Sequence, residues 1–170
     1  MKLRRLFAAK PDPSAALYGA IVASARQERF YADWLVPDTV DGRFDMIVLH
    51  MFLVLDRLGQ EGAYAESIRQ QLTDTFFDDM DRSLREMGVG DLSVGKKVRR
   101  MAEAFYGRVT AYAKGLETGE AGLAESIARN IFADGDASHA PDVARWAMGA
   151  RARLKEQAPA DLTAGKVVFP

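Results

Sequence analysis

The chain has 170 residues, 48% hydrophobic and 28% charged, with 23 basic side chains against 24 acidic ones, two histidines and no cysteine. This length suits one domain that buries about 70% of its unfolded surface, and the lack of cysteine excludes a disulfide framework, an iron-sulfur cluster, a thiol nucleophile and thiolate-bound zinc. A net charge of −1 excludes a uniformly basic nucleic-acid binder, so no DNA partner is expected and any polyanion contact requires local segregation of charge.

Lys2, Arg4 and Arg5 surround an apolar run of only Leu6, Phe7, Ala8 and Ala9, too short for an export signal. Residues 1–12 read as a flexible basic N-terminus; contact with an anionic membrane surface is the sharper reading and a frayed end the simpler one. Asp12 followed by Pro13 is an N-cap with proline at the first helical position, opening a helix to about Gln27 with Leu17, Tyr18, Ile21, Val22 and Ala25 on its apolar face. A short helical piece then carries Phe30, Tyr31 and Trp34 until Pro37 stops it, and residues 36–42 form a turn-rich loop. The central helix is expected from Arg43 to Leu58, apolar nearly all round, with Gly59 and Gly62 ending it. Its window from Met46 to Leu55 has only His50 as a polar residue, but ten residues rise about 15 Å, which suits a buried core helix and not a membrane span.

Tyr64, Ile68, Leu72, Phe76, Met80 and Leu84 recur every four residues, a spacing that precesses about 40° per step, so a break near Thr73 is expected. Ser93 is the expected cap of the next helix, with a stripe of Val98, Met101, Phe105, Val109, Tyr112 and Leu116 that runs to Gly119. A shorter helix spans about Glu120 to Phe132, and Asp134 with Gly135 makes a turn. The last helix, capped by Ser138, runs from Pro141 to Gln157 and buries Val143, Trp146, Ala147, Ala150 and Leu154. The whole is an all-α, single-domain bundle of about six to eight helices, with a helical domain at 13–157 and an extended tail at 158–170.

Chemistry-bearing clusters are few. Asp74, Asp78 and Asp81 fall at i, i+4 and i+7, which suits a hard cation and, as one alternative, a metal-dependent enzyme. Arg82 and Arg85 lie one turn away, so a self-paired solvated face is the favoured reading. Asp134, Gly135 and Asp136 begin like a calcium loop, but Arg145 stands where the bidentate glutamate is required. His50 reads as a hydrogen-bonded core histidine, and neither it nor His139 has triad spacing. No glycine-rich loop matches a nucleotide fingerprint, so no catalytic residue, metal or cofactor is assigned.

Charge is unevenly placed. Acids dominate Thr73 to Glu86, whereas Lys96, Lys97, Arg99, Arg100 and Arg108 cluster further on, with Lys97, Arg100 and Arg108 expected on one side of a helix opposite Met101, Phe105 and Tyr112. Two readings stay open: the basic helix 96–108 meets RNA as an RNA- or ribosome-binding module, lipid head groups or an acidic partner, or the acidic helix pairs with the basic one across a glycine turn.

Three segments in order carry a resemblance: Leu17-Tyr18-Gly19 to Phe30-Tyr31; Val36-Pro37-Asp38-Thr39-Val40-Asp41-Gly42-Arg43-Phe44-Asp45 leading to His50; and Met80-Asp81-Arg82 through Gly88-Val89-Gly90-Asp91 and Lys96-Lys97 to Phe105-Tyr106-Gly107-Arg108. Together they resemble the ubiquinol-cytochrome c chaperone family, strongly over residues 15–118. The chain looks like the family's compact bacterial form, without the targeting extension and anchoring segment of some mitochondrial relatives. The resemblance implies a helical assembly factor for the cytochrome bc complex, not an enzyme. It also implies cytochrome b as partner, ribosome contact, and a cytoplasmic location with peripheral contact at the inner face of the cytoplasmic membrane. Within the matching motifs, Gly88, Val89, Gly90, Asp91, Lys96, Lys97, Arg99, Arg100, Tyr106 and Arg108 are the expected partner surface. Pro37, Asp38, Asp41, Gly42 and Arg43 form the structural motif, with Asp41 the expected cap of the central helix and Gly42, Gly88 and Gly90 expected in strained backbone. Phe105 and Tyr112 are expected in the core and Tyr106 outside it.

Overall fold

Pro13 has no amide hydrogen to lose and Asp12 accepts from the Ser14 amide at 2.9 Å, which together start α1, Pro13–Ala25. In a computed structural model that describes residues 12–133 and 135–170, seven further helices follow: α2 (Glu28–Ala32), α3 (Val40–Leu58), α4 (Gly62–Glu86), α5 (Asp91–Glu117), α6 (Gly119–Asn130), α7 (Ala140–Glu156) and α8 (Pro159–Thr163). No strand occurs among the described residues, so the all-α reading holds. Lys2, Arg4 and Arg5, with the membrane contact expected of them, and Asp134 of the expected turn lie outside the described residues.

The central helix is α3, buried at every residue from Phe44 to Leu55 because α1, α4, α5 and α7 all pack on it. It begins three residues earlier than expected. Its cap is Thr39, whose hydroxyl accepts from the Gly42 amide at 3.1 Å, and not Asp41, which lies exposed in the first turn. Two of the buried polar residues inside α3, His50 and Arg57, are hydrogen-bonded. His50 is fully buried, with Nδ1 at 2.7 Å from the Met46 carbonyl and Nε2 at 3.1 Å from the Ser24 hydroxyl, and Phe30, Trp146 and Phe169 surround its ring. Burial pushes its pKa down to about 3, so Nδ1 donates to the carbonyl and Nε2 accepts from Ser24: a core histidine, as its setting predicts. Arg57 reaches the C-terminal end of α7, where it donates to the carbonyls of Leu154 at 3.0 Å and Gln157 at 3.2 Å.

The break expected near Thr73 is absent, and α4 runs unbroken for 25 residues. Its buried residues are Ala65, Ile68, Leu72, Phe76, Met80 and Leu84, while Tyr64 is exposed. A four-residue repeat does rotate round the helix, but α4 meets α1, α3, α5 and α8, so the rotating stripe finds successive partners. The Thr73 hydroxyl bonds back to the Arg69 carbonyl at 2.9 Å, a bond made within the helix.

Two other caps are misplaced in the sequence reading. Gly90 is the N-cap of α5, which leaves Ser93 inside the first turn, and His139 is the N-cap of α7 because Ser138 turns its hydroxyl to Asp136. Residues 158–170 also differ from the expected extended tail. Pro159 starts α8, Leu162 is buried, and Phe169 packs at 5.0 Å from the His50 ring. Gly165 lies so close to Pro13 and Ala16 of α1 that a Cβ there would meet both, and its φ of +86° suits glycine alone.

Candidate partner surface

The turn between α4 and α5 is built from backbone geometry. Gly88 takes φ +82°, its amide donates to the Arg85 carbonyl at 2.9 Å, and the Val89 amide donates to the Leu84 carbonyl at 3.0 Å, the two bonds of a Schellman end. Gly88 therefore meets the expectation of special backbone. Gly90 does not, since its φ is −65° and a Cβ would meet open space. Gly42 is required for a third reason: a Cβ there would fall on the Pro37 carbonyl oxygen, so the loop before α3 crosses the helix only over glycine. The same loop is tied by Arg43, which donates from Nε to Asp38 at 2.6 Å and holds that carboxyl below its usual range.

Along α5, Lys96, Lys97, Arg99 and Arg100 are exposed, as are Asp91 and Gly88, while Val89 is half-buried. Arg99 pairs with Glu103 at 3.2 Å, whereas Lys96, Lys97 and Arg100 have no ionic partner among the described residues. Tyr106 is 57% exposed, and Phe105 and Tyr112 are core residues. Arg108 leaves the set. It stands four residues before Tyr112, only about 40° round the helix, so it points beside the apolar stripe and not opposite it. There it meets Asp45 at 2.7 Å and covers the Phe44 ring, and the two side chains are 22% and 6% exposed.

Asp45 is a buried network residue, and what the sequence does not name is its partner. Burial pushes its pKa up to about 6 against the opposing pull of Arg108, and nearby Asp41 adds to the rise. Burial also raises the Tyr112 phenol, with the Asp45 charge adding to it. A signal existed: a carboxylate at the head of an apolar helix demands a cation, and Arg108 is the basic residue that borders the stripe of α5.

Two grooves flank α5. One, of about 600 Å³, has Phe52, Leu55, Phe105 and Val109 in its walls with Glu66 and Arg69 at the rim. The other, of about 590 Å³, lies between the start of α3, α5 and the α6–α7 connection, and includes Phe44, Asp45, Arg100, Met101, Arg108 and Asn130.

Two members of the aspartate cluster are spent on other partners, and the third, Asp78, is exposed. Asp74 accepts from Gln70 at 2.9 Å, Asp81 from Arg85 at 2.6 Å, and the neighbouring Asp79 from the Tyr18 hydroxyl at 2.8 Å and from Arg82 at 2.8 Å. Among the described residues no group of three histidine or acidic side chains could hold a metal ion, and no helix is long and apolar enough to cross a membrane. The acidic and basic helices do not pair their charges along their length. Their ionic link is Arg85 to Asp91 at the turn.

Residues 32–169 match the family described as ubiquinol-cytochrome C chaperone. Over 116 residues the chain is 24% identical to the ubiquinol-cytochrome-c reductase complex assembly factor 1 of Xenopus laevis and 27% identical to that of Homo sapiens, in each case across 68% of this chain. It is 26% identical over 146 residues to the mitochondrial protein CBP3 of Saccharomyces cerevisiae. The chain spans 58%, 39% and 44% of the length of these relatives. The crystal structure of the Cbp3 homolog from Brucella abortus is similar over 95% of this chain and 90% of that one, with a TM-score of 0.84 and 39% identity.

Proposed function

The chain belongs to the ubiquinol-cytochrome c chaperone family, a family of assembly chaperones and not of enzymes, and on that premise we propose that it promotes assembly of the cytochrome bc complex by holding cytochrome b. The observation that carries the reading is the match over residues 32–169, joined to relatives named as assembly factors of ubiquinol-cytochrome c reductase. The groove beside α5 supports a holding mechanism. Exposed Tyr106 and half-buried Val109 offer apolar contact over a floor of Phe52, Leu55 and Phe105, and Glu66 and Arg69 at the rim set the orientation of a bound segment. An amphipathic helix of cytochrome b, taken as it emerges from the ribosome, buries its apolar face there and is released when its own subunits cover it.

Deletion of the gene tests this. Quinol-cytochrome c reductase activity and b-type haem absorbance of membranes fall and return on complementation. Unchanged levels of the complex in the deletion strain would refute the assembly role. Crosslinking from the rim of the groove, with no cytochrome b recovered, would refute the choice of partner while leaving the assembly role intact.

A further inference from the structure

We propose that the tip of the α4–α5 hairpin docks on an anionic lipid bilayer, with Met87 and Leu92 entering the headgroup region and Lys96, Lys97 and Arg100 meeting the phosphates. The main core takes residues of α4 only up to Met80 and of α5 only from Met101 onward, so the twenty residues between form a hairpin outside it. Leu92 is fully exposed and Met87 is 55% exposed, one in the first turn of α5 and the other at the end of α4.

They are held outward. The Schellman bonds at Gly88 and Val89 fix the turn, and Leu84 and Val94 are buried behind it, so the tip has satisfied its own packing and still presents a leucine and a methionine to water. Met87 and Leu92 line neither groove beside α5 nor the hollow among Lys96, Arg99 and Arg100, which suits a planar interface better than a peptide or helix that needs a groove.

The charges fit the same occupant. Arg85 ties up Asp81 and Asp91, Arg82 ties up Asp79, and Arg99 ties up Glu103. Lys96, Lys97 and Arg100 are left without ionic partners among the described residues, against one unpaired acid at the tip, Glu86. Cations flanking a short apolar point are the pattern of interfacial binding to anionic lipid. RNA fits less well. Residues 81–100 contain no phenylalanine, tyrosine, tryptophan or histidine on which a base could stack, and nucleic acid gives no role to an exposed leucine. No described helix spans a bilayer, so the contact is peripheral.

Flotation of the whole protein with phosphatidylcholine vesicles, with and without about 30% phosphatidylglycerol, tests the proposal. Binding is expected with phosphatidylglycerol and weak without it. Each cation near the surface contributes about fivefold, so Lys96→Gln, Lys97→Gln and Arg100→Gln together lower partitioning on the order of 100-fold. Leu92→Ser lowers it about tenfold through lost apolar burial. Arg153→Gln, an exposed cation on α7, leaves it unchanged. Because the chain has no cysteine, Leu92→Cys carries a single environment-sensitive label whose emission shifts to the blue on vesicles. All these positions are exposed, and circular dichroism verifies the fold. Lack of binding to either vesicle overturns the proposal. So does binding that survives Leu92→Ser undiminished while the triple variant loses it, and tRNA binding lost in the same triple variant would then assign the patch to nucleic acid. None of these outcomes bears on assembly of the cytochrome bc complex, which the deletion strain reads separately.

Discussion

Replacing Arg108 by methionine strips the counter-ion from Asp45, a carboxylate only 6% exposed. In the native protein burial pushes the Asp45 pKa up to about 6, above the ordinary aspartate value of 3.8. A carboxyl raised on folding binds its proton more tightly in the native state. Its contribution to stability is therefore present below about pH 3.8 and is lost as pH rises through about 6. The shift corresponds to about 3 kcal/mol across that window. Arg108 opposes this rise, so its removal drives the Asp45 pKa higher and extends the loss upward in pH. At pH 5 the carboxyl is largely neutral in both proteins and the variant is only slightly less stable. At pH 8 the native carboxylate is charged and paired with Arg108 whereas the variant's has no partner, and breaking such a buried pair costs about 3–5 kcal/mol. Urea unfolding followed by circular dichroism at both pH values, with matched m-values, gives the two differences. A deficit of equal size at pH 5 and pH 8, or a larger one at pH 5, would refute the ionic account. The double variant Asp45→Asn with Arg108→Met should recover most of the stability at pH 8, since it leaves no charge stranded.

The close approach at Gly42 and the buried imidazole give further tests. Gly42→Ala places a methyl on the Pro37 carbonyl and should destabilise the protein by about 1–3 kcal/mol, read as a lower urea midpoint, and a midpoint equal to the parent's would show that the loop yields freely. His50, pushed down to about 3 by burial, should keep the ring resonances of a neutral, Nδ1-protonated imidazole from pH 8 to pH 5, and a titration midpoint near 6.5 would contradict its burial. Its depressed pKa contributes stability above pH 6.5 that falls away as pH drops toward 3, by about 1.4 kcal/mol per unit, and the Asp45 proton offsets part of this loss between pH 6 and 4.

Much of this architecture is legible in sequence because periodicity reports burial directly. The apolar window of α3, the stripe of α5 and the Val143 to Leu154 face of α7 each name their own buried side. Helix starts were harder, because serine, threonine and aspartate crowd them and the backbone chooses among neighbours: Thr39 over Asp41, Gly90 over Ser93, His139 over Ser138. The continuity of α4 depends on how many partners surround it, which no local window contains. Arg108 shows the same limit for the candidate surface. Its charge is plain in the sequence, but its direction is set by Asp45, 63 positions earlier, and that pairing is a property of the packed bundle.

The C-terminal segment closes the bundle on its earliest elements. Phe169 seals the His50 site, Gly165 rests on Pro13 of α1, and Arg29 donates to the Pro170 carbonyl at 2.7 Å, across 141 positions. These contacts join residues more than a hundred positions apart, and loop-closure entropy makes such contacts slow to form. A chain emerging from its N-terminus can assemble α1 to α7 while the cavity round His50 stays open on one side. Residues 159–170 then cover that side, and hydrogen exchange at the α3 amides near His50 should report when they are seated.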